Sequence, residues 1–251
     1  MDLGLIGKRV LVTGSSHGIG LSIAQAFHLE GCQVVANGRD AKNLAASVKD
    51  KVGYFGIPAD MTDPQQARKL IDGATELLGG IDILVCNVGS GASVKPGTEQ
   101  LDDWQRSLST NFLSATNAVG AAIAELKKTK GIIVYISSIC GDEVIQGAPV
   151  SYSAAKAALN AYIRGMFLPL ALDGIRLNGV APGNILFAGS VWGKKLRDDP
   201  PAVKQMIEDC VPLKKLGNPL DVANRILWLT SPLANFITGS VNVTDGGQSR
   251  R

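Results

Sequence analysis

The sequence predicts an α/β fold: a doubly wound parallel sheet with helices on both faces and a cover segment near 184–212. Three observations lead there. Seven apolar strand-like runs alternate with helical stretches along the 251 residues, the rhythm of successive βαβ units. The strands are continuous apolar runs rather than alternating ones, so both sheet faces are covered. The first strand ends in a loop with three glycines that opens directly into a helix.

The elements follow in order. Val10-Leu11-Val12 anchors a strand at 9–13, and Leu21-Ser22-Ile23-Ala24-Gln25-Ala26-Phe27 a helix over 18–29. A second strand at 33–37 leads through Gly38-Arg39-Asp40 into a helix near 40–49, with Asp40 as its N-cap. Strands at 53–58, 81–86, 132–137, 176–181 and 240–243 alternate with helices near 64–78, 102–126, 151–171 and 219–230. Pro169 falls inside the fifth helix, where it should remove a backbone bond and bend the axis. The stretch 184–218 breaks the rhythm and carries Pro200, Pro201 and Pro212. Such a late insertion on the ligand side of the sheet reads as a substrate lid over 184–212. With no linker or repeat, residues 1–251 read as a single domain.

The net charge of +3 is small and spread along the chain, which argues against nucleic acid and membrane as partners. Lys127, Lys128 and Lys130 read as a solvated helix end. Cys32, Cys86, Cys140 and Cys210 are far apart with no Cys-x-x-Cys pair, and read as buried thiols in a reducing compartment. The acidic start carries no signal-peptide pattern, and no apolar run reaches membrane-span length. A cytoplasmic location is expected.

Two segments carry chemistry. In Thr13-Gly14-Ser15-Ser16-His17-Gly18-Ile19-Gly20 the glycines are spaced Gly-x-x-x-Gly-x-Gly between strand and helix. Backbone N–H groups and the positive end of the helix dipole there suit a pyrophosphate. In Ser151-Tyr152-Ser153-Ala154-Ala155-Lys156, Tyr152 and Lys156 are four apart and share a helix face. A cation beside a phenol, whose free pKa is about 10, favours the phenolate and tunes the group for acid–base work.

With these segments in view, the chain resembles the short-chain dehydrogenase/reductase family, in its short single-domain branch and close to 3-oxoacyl-carrier-protein reductase-like members. The glycine turn, Ala59-Asp60-Met61-Thr62-Asp63, Cys86-Asn87-Val88-Gly89, Thr110-Asn111-Phe112, Ile136-Ser137-Ser138-Ile139-Cys140-Gly141, Tyr152 with Lys156, Ala181-Pro182-Gly183, Thr238-Gly239 and Asp245-Gly246-Gly247 match its motifs in order. The resemblance implies a Rossmann-type sheet and an oxidoreductase interconverting a ketone and a secondary alcohol. It implies catalytic roles for Asn111, Ser138, Tyr152 and Lys156, with Tyr152 as general acid/base and Lys156 lowering its pKa. It implies cofactor contacts from Gly14, Ser16, His17, Gly18, Ile19, Gly20, Arg39, Asp60, Met61, Asn87, Gly89, Tyr152, Lys156, Pro182, Gly183 and Ile185. Phe187 stands where the family commonly has a threonine for the nicotinamide carboxamide, and Ser190 is the candidate substitute.

At the tip of the second strand, Asn37 and Gly38 replace the carboxylate usual in NAD enzymes, and Arg39 suits a 2′-phosphate. NADP(H) is therefore expected over NAD(H). Pocket candidates Val144, Ile145, Leu186, Phe187, Val191, Trp192 and Met206 favour an apolar or ring-bearing ketone. Ser90, Ser93, Lys95, Lys194, Lys195 and Arg197 would serve a charged or sugar substrate, and an acyl-carrier thioester is a further option. The competing reading is a catalytically silent dinucleotide sensor or structural subunit, against which stands the presence of all four candidate catalytic residues. In the family, helices matching 102–126 and 151–171 pair across a two-fold. A homotetramer is expected, with a dimer as fallback, through faces that include Ala115, Ala118, Ala122, Ala158, Ala161, Phe167 and Leu170.

Overall fold

The computed structural model describes residues 2–249. Seven strands, β1 (Arg9–Val12), β2 (Gln33–Gly38), β3 (Tyr54–Pro58), β4 (Ile83–Cys86), β5 (Ile132–Ile136), β6 (Arg176–Pro182) and β7 (Val241–Thr244), form one sheet in the order β3-β2-β1-β4-β5-β6-β7. Every neighbouring pair is parallel. This is the doubly wound Rossmann-type sheet the sequence predicts.

The helices are α1 (Gly18–Leu29), α2 (Ala41–Val48), α3 (Pro64–Leu78), α4 (Leu101–Leu108), α5 (Ser114–Thr129), α6 (Val150–Leu172), α7 (Val191–Asp198), α8 (Pro200–Cys210) and α9 (Pro219–Thr230). Period-2 alternation divides the strand residues between two cores. Leu11, Val35, Leu84, Ile133, Tyr135 and Leu177 face α3, α5 and α6. Val10, Val12, Val34, Ala36, Ile83, Val85, Val134 and Val180 face α1 and α9. All of these strand residues are at most 1% exposed, which is why the strands read as unbroken apolar runs. Burying each Val, Leu or Ile among them fully contributes about 1.5–3 kcal/mol.

Several boundaries have clear local causes. Asp40 accepts hydrogen bonds from the Lys42 and Asn43 N–H groups at 2.9 and 3.1 Å, so it is the N-cap of α2. Asp63 and Asn218 cap α3 and α9, each followed by a proline in the first helical turn, where its missing N–H costs nothing.

Three expectations need correction. The helix expected over 102–126 is two helices joined by a π-helical turn at Ser109–Leu113. The 184–212 segment, expected as a lid that breaks the strand–helix rhythm, holds two helices, α7 and α8, and Pro200 and Pro201 lie in the first turn of α8. Helix α6 runs through Pro169 to Leu172, so the proline falls in its last turn and interrupts little of the backbone ladder. No helix among the described residues is long and apolar enough to cross a membrane.

The thiols also divide. Cys32 and Cys86 are buried, Cys140 is half-buried and Cys210 is exposed, because the last two lie on the cleft side of the sheet. The lysine-rich end of α5 is paired: Lys127 with Asp173 at 2.9 Å and Lys128 with Glu125 at 2.6 Å.

Candidate active site

The sheet order reverses at β1 and β4, and a crevice opens outside the carboxyl ends of the strands at such a switch point. A cleft of about 1260 Å³ lies there. Every residue named above for catalysis or cofactor binding lines it, from the glycine turn through Arg39 and Asp60 to Tyr152, Lys156 and Ile185.

The glycine turn is held from behind. Asn37 is fully buried. Its amide accepts from the Gly14 N–H at 3.2 Å and donates to the carbonyls of Ile57 and Ala59, both at 3.1 Å. Asn87 donates to the carbonyls of Thr13 and Gly14 at 3.1 and 2.8 Å. It stands so close that a Cβ on Gly20 would lie 2.3 Å from its Nδ2. At the start of α1, His17 occupies the N-cap position with extended backbone, and no side chain caps the helix. Uncapped N–H groups at the positive end of a helix, opening on a cleft, fit a dinucleotide's diphosphate.

Arg39 projects from the tip of β2 with its side chain 80% exposed and a guanidinium nitrogen 3.9 Å from Asp60. Asp60 itself accepts from the N–H and hydroxyl of Thr62 at 2.9 and 2.8 Å.

On the other side of the cleft, the π-turn carries Asn111. Its Oδ1 accepts from the Ser90 N–H at 2.8 Å, and its Nδ2 donates to the Ser90 and Ser107 carbonyls at 3.2 and 3.1 Å. The side chain thereby takes up a carbonyl in the preceding turn, and such π-turns occur often at functional sites. A Cβ on Gly89 would lie 3.0 Å from Asn111 Oδ1 and 3.3 Å from Lys156 Nζ, so both groups converge on that glycine.

Tyr152 sits in the first turn of α6, half-buried and facing the cleft. Burial pushes its phenol up to about 12, and the neighbouring Ser138 hydroxyl opposes the rise. Burial brings Lys156 down to about 8; its Nζ donates to the Ile136 carbonyl at 2.7 Å and lies 6.0 Å from the Tyr152 ring centroid. The expected depression of the phenol by Lys156 is therefore absent in the free protein: desolvation dominates both groups. At neutral pH the Tyr152 phenol is protonated.

The shift on Lys156 has a stability consequence. The folded value lies below the unfolded one, so the folded state prefers the neutral amine. Charging it costs about 3 kcal/mol on a scale of about 1.36 kcal/mol per unit. That cost is present in full below pH 8 and is relieved as pH rises from about 8 towards the unfolded value. The unliganded protein's Tm should thus gain a rising component above about pH 8 that Lys156→Met removes. Parallel Tm-against-pH curves for the two proteins would contradict the assignment.

The substrate side is mixed. Val144, Ile145, Phe187, Val191, Trp192 and Met206 line it, and so do Ser90, Ser93 and Lys195. Leu186, Lys95, Lys194 and Arg197 do not reach it. Arg106, Glu143, Gln146, Asp209 and Lys214, which sequence reasoning did not single out, do. Cys140 also lines the cleft rather than being sealed in the core. Ser190, the candidate substitute for the missing threonine, lines the cleft. It is 6% exposed, and its Oγ accepts from the Phe187 and Gly193 N–H groups at 3.2 and 2.9 Å as the cap of α7. Phe187 lies on the glycine turn: a Cβ on Gly18, whose φ is +59°, would be 2.5 Å from Phe187 Cε2.

The chain has relatives among known proteins. A family model described as enoyl-(acyl carrier protein) reductase matches residues 14–249. The chain belongs to the short-chain dehydrogenase/reductase family. It is 34% identical over 256 residues to the 3-oxoacyl-[acyl-carrier-protein] reductase of Aquifex aeolicus, covering 98% of this chain and 99% of that protein. A solved 7α-hydroxysteroid dehydrogenase, complexed with NADH and 7-oxo glycochenodeoxycholic acid, superposes with a TM-score of 0.90 at 31% identity, covering 100% and 97% of the two chains. The L-sorbose reductase of Gluconobacter frateurii, complexed with NADPH and L-sorbose, gives 0.92 at 27% identity and full coverage of both chains. As a short-chain dehydrogenase/reductase, the protein is an oxidoreductase of the CH–OH/C=O class.

Proposed function

We propose that this protein is an NADP(H)-dependent oxidoreductase that interconverts a ketone and a secondary alcohol, with Tyr152 as the proton donor in reduction. The observation that carries this reading is the convergence of Asn111, Ser138, Tyr152 and Lys156 in one cleft with an uncapped helix N-terminus. The bound dinucleotide supplies the hydride. Tyr152 Oη delivers its proton to the carbonyl oxygen, and the Ser138 hydroxyl donates a hydrogen bond where negative charge develops on that oxygen. Lys156 holds the ribose hydroxyls, and Asn111 steadies the Ser90 loop beside it. The backbone around Gly14, Gly18 and Gly20 receives the diphosphate. Consumption of NADPH with matching formation of alcohol tests the reading.

The cofactor preference is supported by which polar groups remain available at the β2 tip. Asn37 is committed to three backbone groups and Asp40 to capping α2. Arg39 is left exposed there to meet a 2′-phosphate by a charge-assisted contact. The named relatives bind NADH in one case and NADPH in the other, so this rests on Arg39. The apolar side chains on the substrate side favour a bulky or ring-bearing ketone.

Phe187 forms an apolar wall between the glycine turn and the substrate side. Phe187→Thr should lower the KM for NADPH by restoring a hydroxyl there, and shift preference between ketones of different bulk by removing the wall. Steady-state kinetics on two such ketones check this. An unchanged KM together with an unchanged kcat/KM ratio would discard it.

For assembly we propose a homotetramer built on a dimer through α4, α5 and α6. Ala115, Ala118, Ala122 and Leu170, expected on the pairing faces, are at most 5% exposed within the chain and belong to its core. Ala161 of α6 is exposed, and α4, α6 and the π-turn also expose large apolar groups such as Leu101, Leu108, Leu113, Val150, Leu168 and Leu172. Light scattering should give an oligomer, and a stable monomer would refute the proposal.

A further inference from the structure

Three consecutive residues at the end of β5 each meet a different residue on one face of α6. The Ile136 carbonyl accepts from Lys156 Nζ at 2.7 Å. The Ser137 hydroxyl donates to Asn160 Oδ1. The Ser138 hydroxyl lies beside the Tyr152 phenol. Tyr152, Lys156 and Asn160 are spaced by four and form one stripe along the helix. The Ser137 N–H meanwhile donates to the Val180 carbonyl at 2.7 Å, which fixes the strand end in the sheet while its side chain reaches the helix.

Asn160 is 1% exposed and Ser137 3%. Asn160 does not border the cleft, and its Nδ2 has no hydrogen-bond partner among the described residues. That nitrogen faces Gly141, where an added Cβ would lie 2.9 Å from it and 2.7 Å from the Lys156 carbonyl oxygen. A buried amide with one group orphaned destabilises the fold relative to an apolar side chain of similar shape. Packing therefore gives no reason for an asparagine here, whereas geometry does. The Lys156 bond alone is a poor register mark, because it ends a flexible four-carbon stem whose ammonium also has to serve the cofactor.

We propose that Asn160, acting through Ser137, is a positioning residue that sets the register between the β5 end carrying Ser138 and the helix carrying Tyr152 and Lys156. The proposal rests on the reading of Tyr152 and Ser138 as the groups that act on the carbonyl oxygen. The Ser137–Asn160 bond holds those two hydroxyls on a common point. Without it the strand end and the helix remain packed, but the two hydroxyls no longer converge.

The test compares Ser137→Ala, Ser137→Thr and the double variant Ser137→Ala/Asn160→Leu with the full-length wild type. The double variant should unfold at or above the wild-type temperature, because both partners of the buried bond and the orphaned amide are gone. It should bind NADPH with unchanged Kd and stoichiometry. Its kcat for ketone reduction should nevertheless fall about ten- to a hundredfold at unchanged ketone KM, the scale of a small misplacement of reacting groups. The isotope effect with 4-deuterated NADPH should rise as the chemical step slows. Ser137→Ala should show the same loss of kcat, and it suffices by itself if the double variant does not fold. Ser137→Thr, which keeps the hydroxyl, should recover most of it. Wild-type kcat in the apolar variants, or a loss that only follows the NADPH-binding fraction with no change in isotope effect, would overturn the proposal. Tyr152→Phe in the same assay separates the two levels. If it is inactive while the apolar variants are normal, the register proposal alone fails. If it is active, the proton-donor reading fails and the register proposal falls with it.

Discussion

Tyr152→Phe should bind NADPH as tightly as the wild type and lose about a hundred- to ten-thousandfold in kcat, the range by which general acid catalysis accelerates such steps. The expectation follows from where Tyr152 stands. Its ring is half-buried at the start of α6 and faces the cleft, so Phe keeps the packing. Only the hydroxyl beside Ser138 is lost. That hydroxyl is protonated at neutral pH, the form reduction requires, and burial raises it further above its ordinary value. Lys156→Ala should behave differently and damage NADPH binding as well as turnover, because the one ammonium is asked to hold the ribose beside the phenol. Stopped assays of turnover alongside titration of NADPH binding measure both. Near-normal turnover in Tyr152→Phe would mean that another group donates the proton.

Arg39→Ala should erase most of the preference for NADPH over NADH. Removing a charged hydrogen-bonding partner costs about 1.5–3 kcal/mol, which corresponds to roughly one to two orders of magnitude in kcat/KM. The loss should enter through the KM for NADPH and leave NADH kinetics untouched, since Arg39 is exposed at the β2 tip. Asp60, 3.9 Å from the guanidinium, is already engaged by Thr62. The parallel determination of kcat/KM for both cofactors decides the matter. Equal use of NADPH and NADH by the wild type would remove the basis of the argument.

Local pattern made the sheet legible in the sequence. Both faces of β1, β2, β4 and β5 are buried, so their apolar runs are unbroken, and Gly-rich or capped loops mark the crossings. The glycine turn and the Tyr152/Lys156 pair were legible for the same reason: each is contiguous in sequence. What escaped depends on contacts between distant segments. The π-turn at Ser109–Leu113 has no propensity signature, and its Asn111 is held by Ser90, far back along the chain. Asn37 read as a missing carboxylate, whereas it is the bracket that holds Gly14 against β3. Asn160 lies two turns past Tyr152 on the same helix face, a spacing that could have drawn attention to it, but its partner Ser137 comes from another strand. The alanines of α5 looked available for pairing because periodicity does not say which side of a helix the sheet occupies. The helices of the 184–212 segment went unassigned because Pro200 and Pro201, which start α8, carry no signal that tells a helix start from a turn.

The central claim is that the cleft moves a hydride between NADP(H) and a carbonyl carbon, and turnover of NADPH across a panel of ketones tests it most directly. The panel should run from ring-bearing and apolar ketones to small polar ones, with wild type and Tyr152→Phe assayed side by side. The account predicts that the wild type oxidises NADPH with a bulky apolar ketone, forming one alcohol per NADPH consumed, and that Tyr152→Phe does not. Tight NADPH binding by the wild type with no turnover on any ketone or, in reverse, on any secondary alcohol would contradict it and leave a protein that holds the dinucleotide without using it.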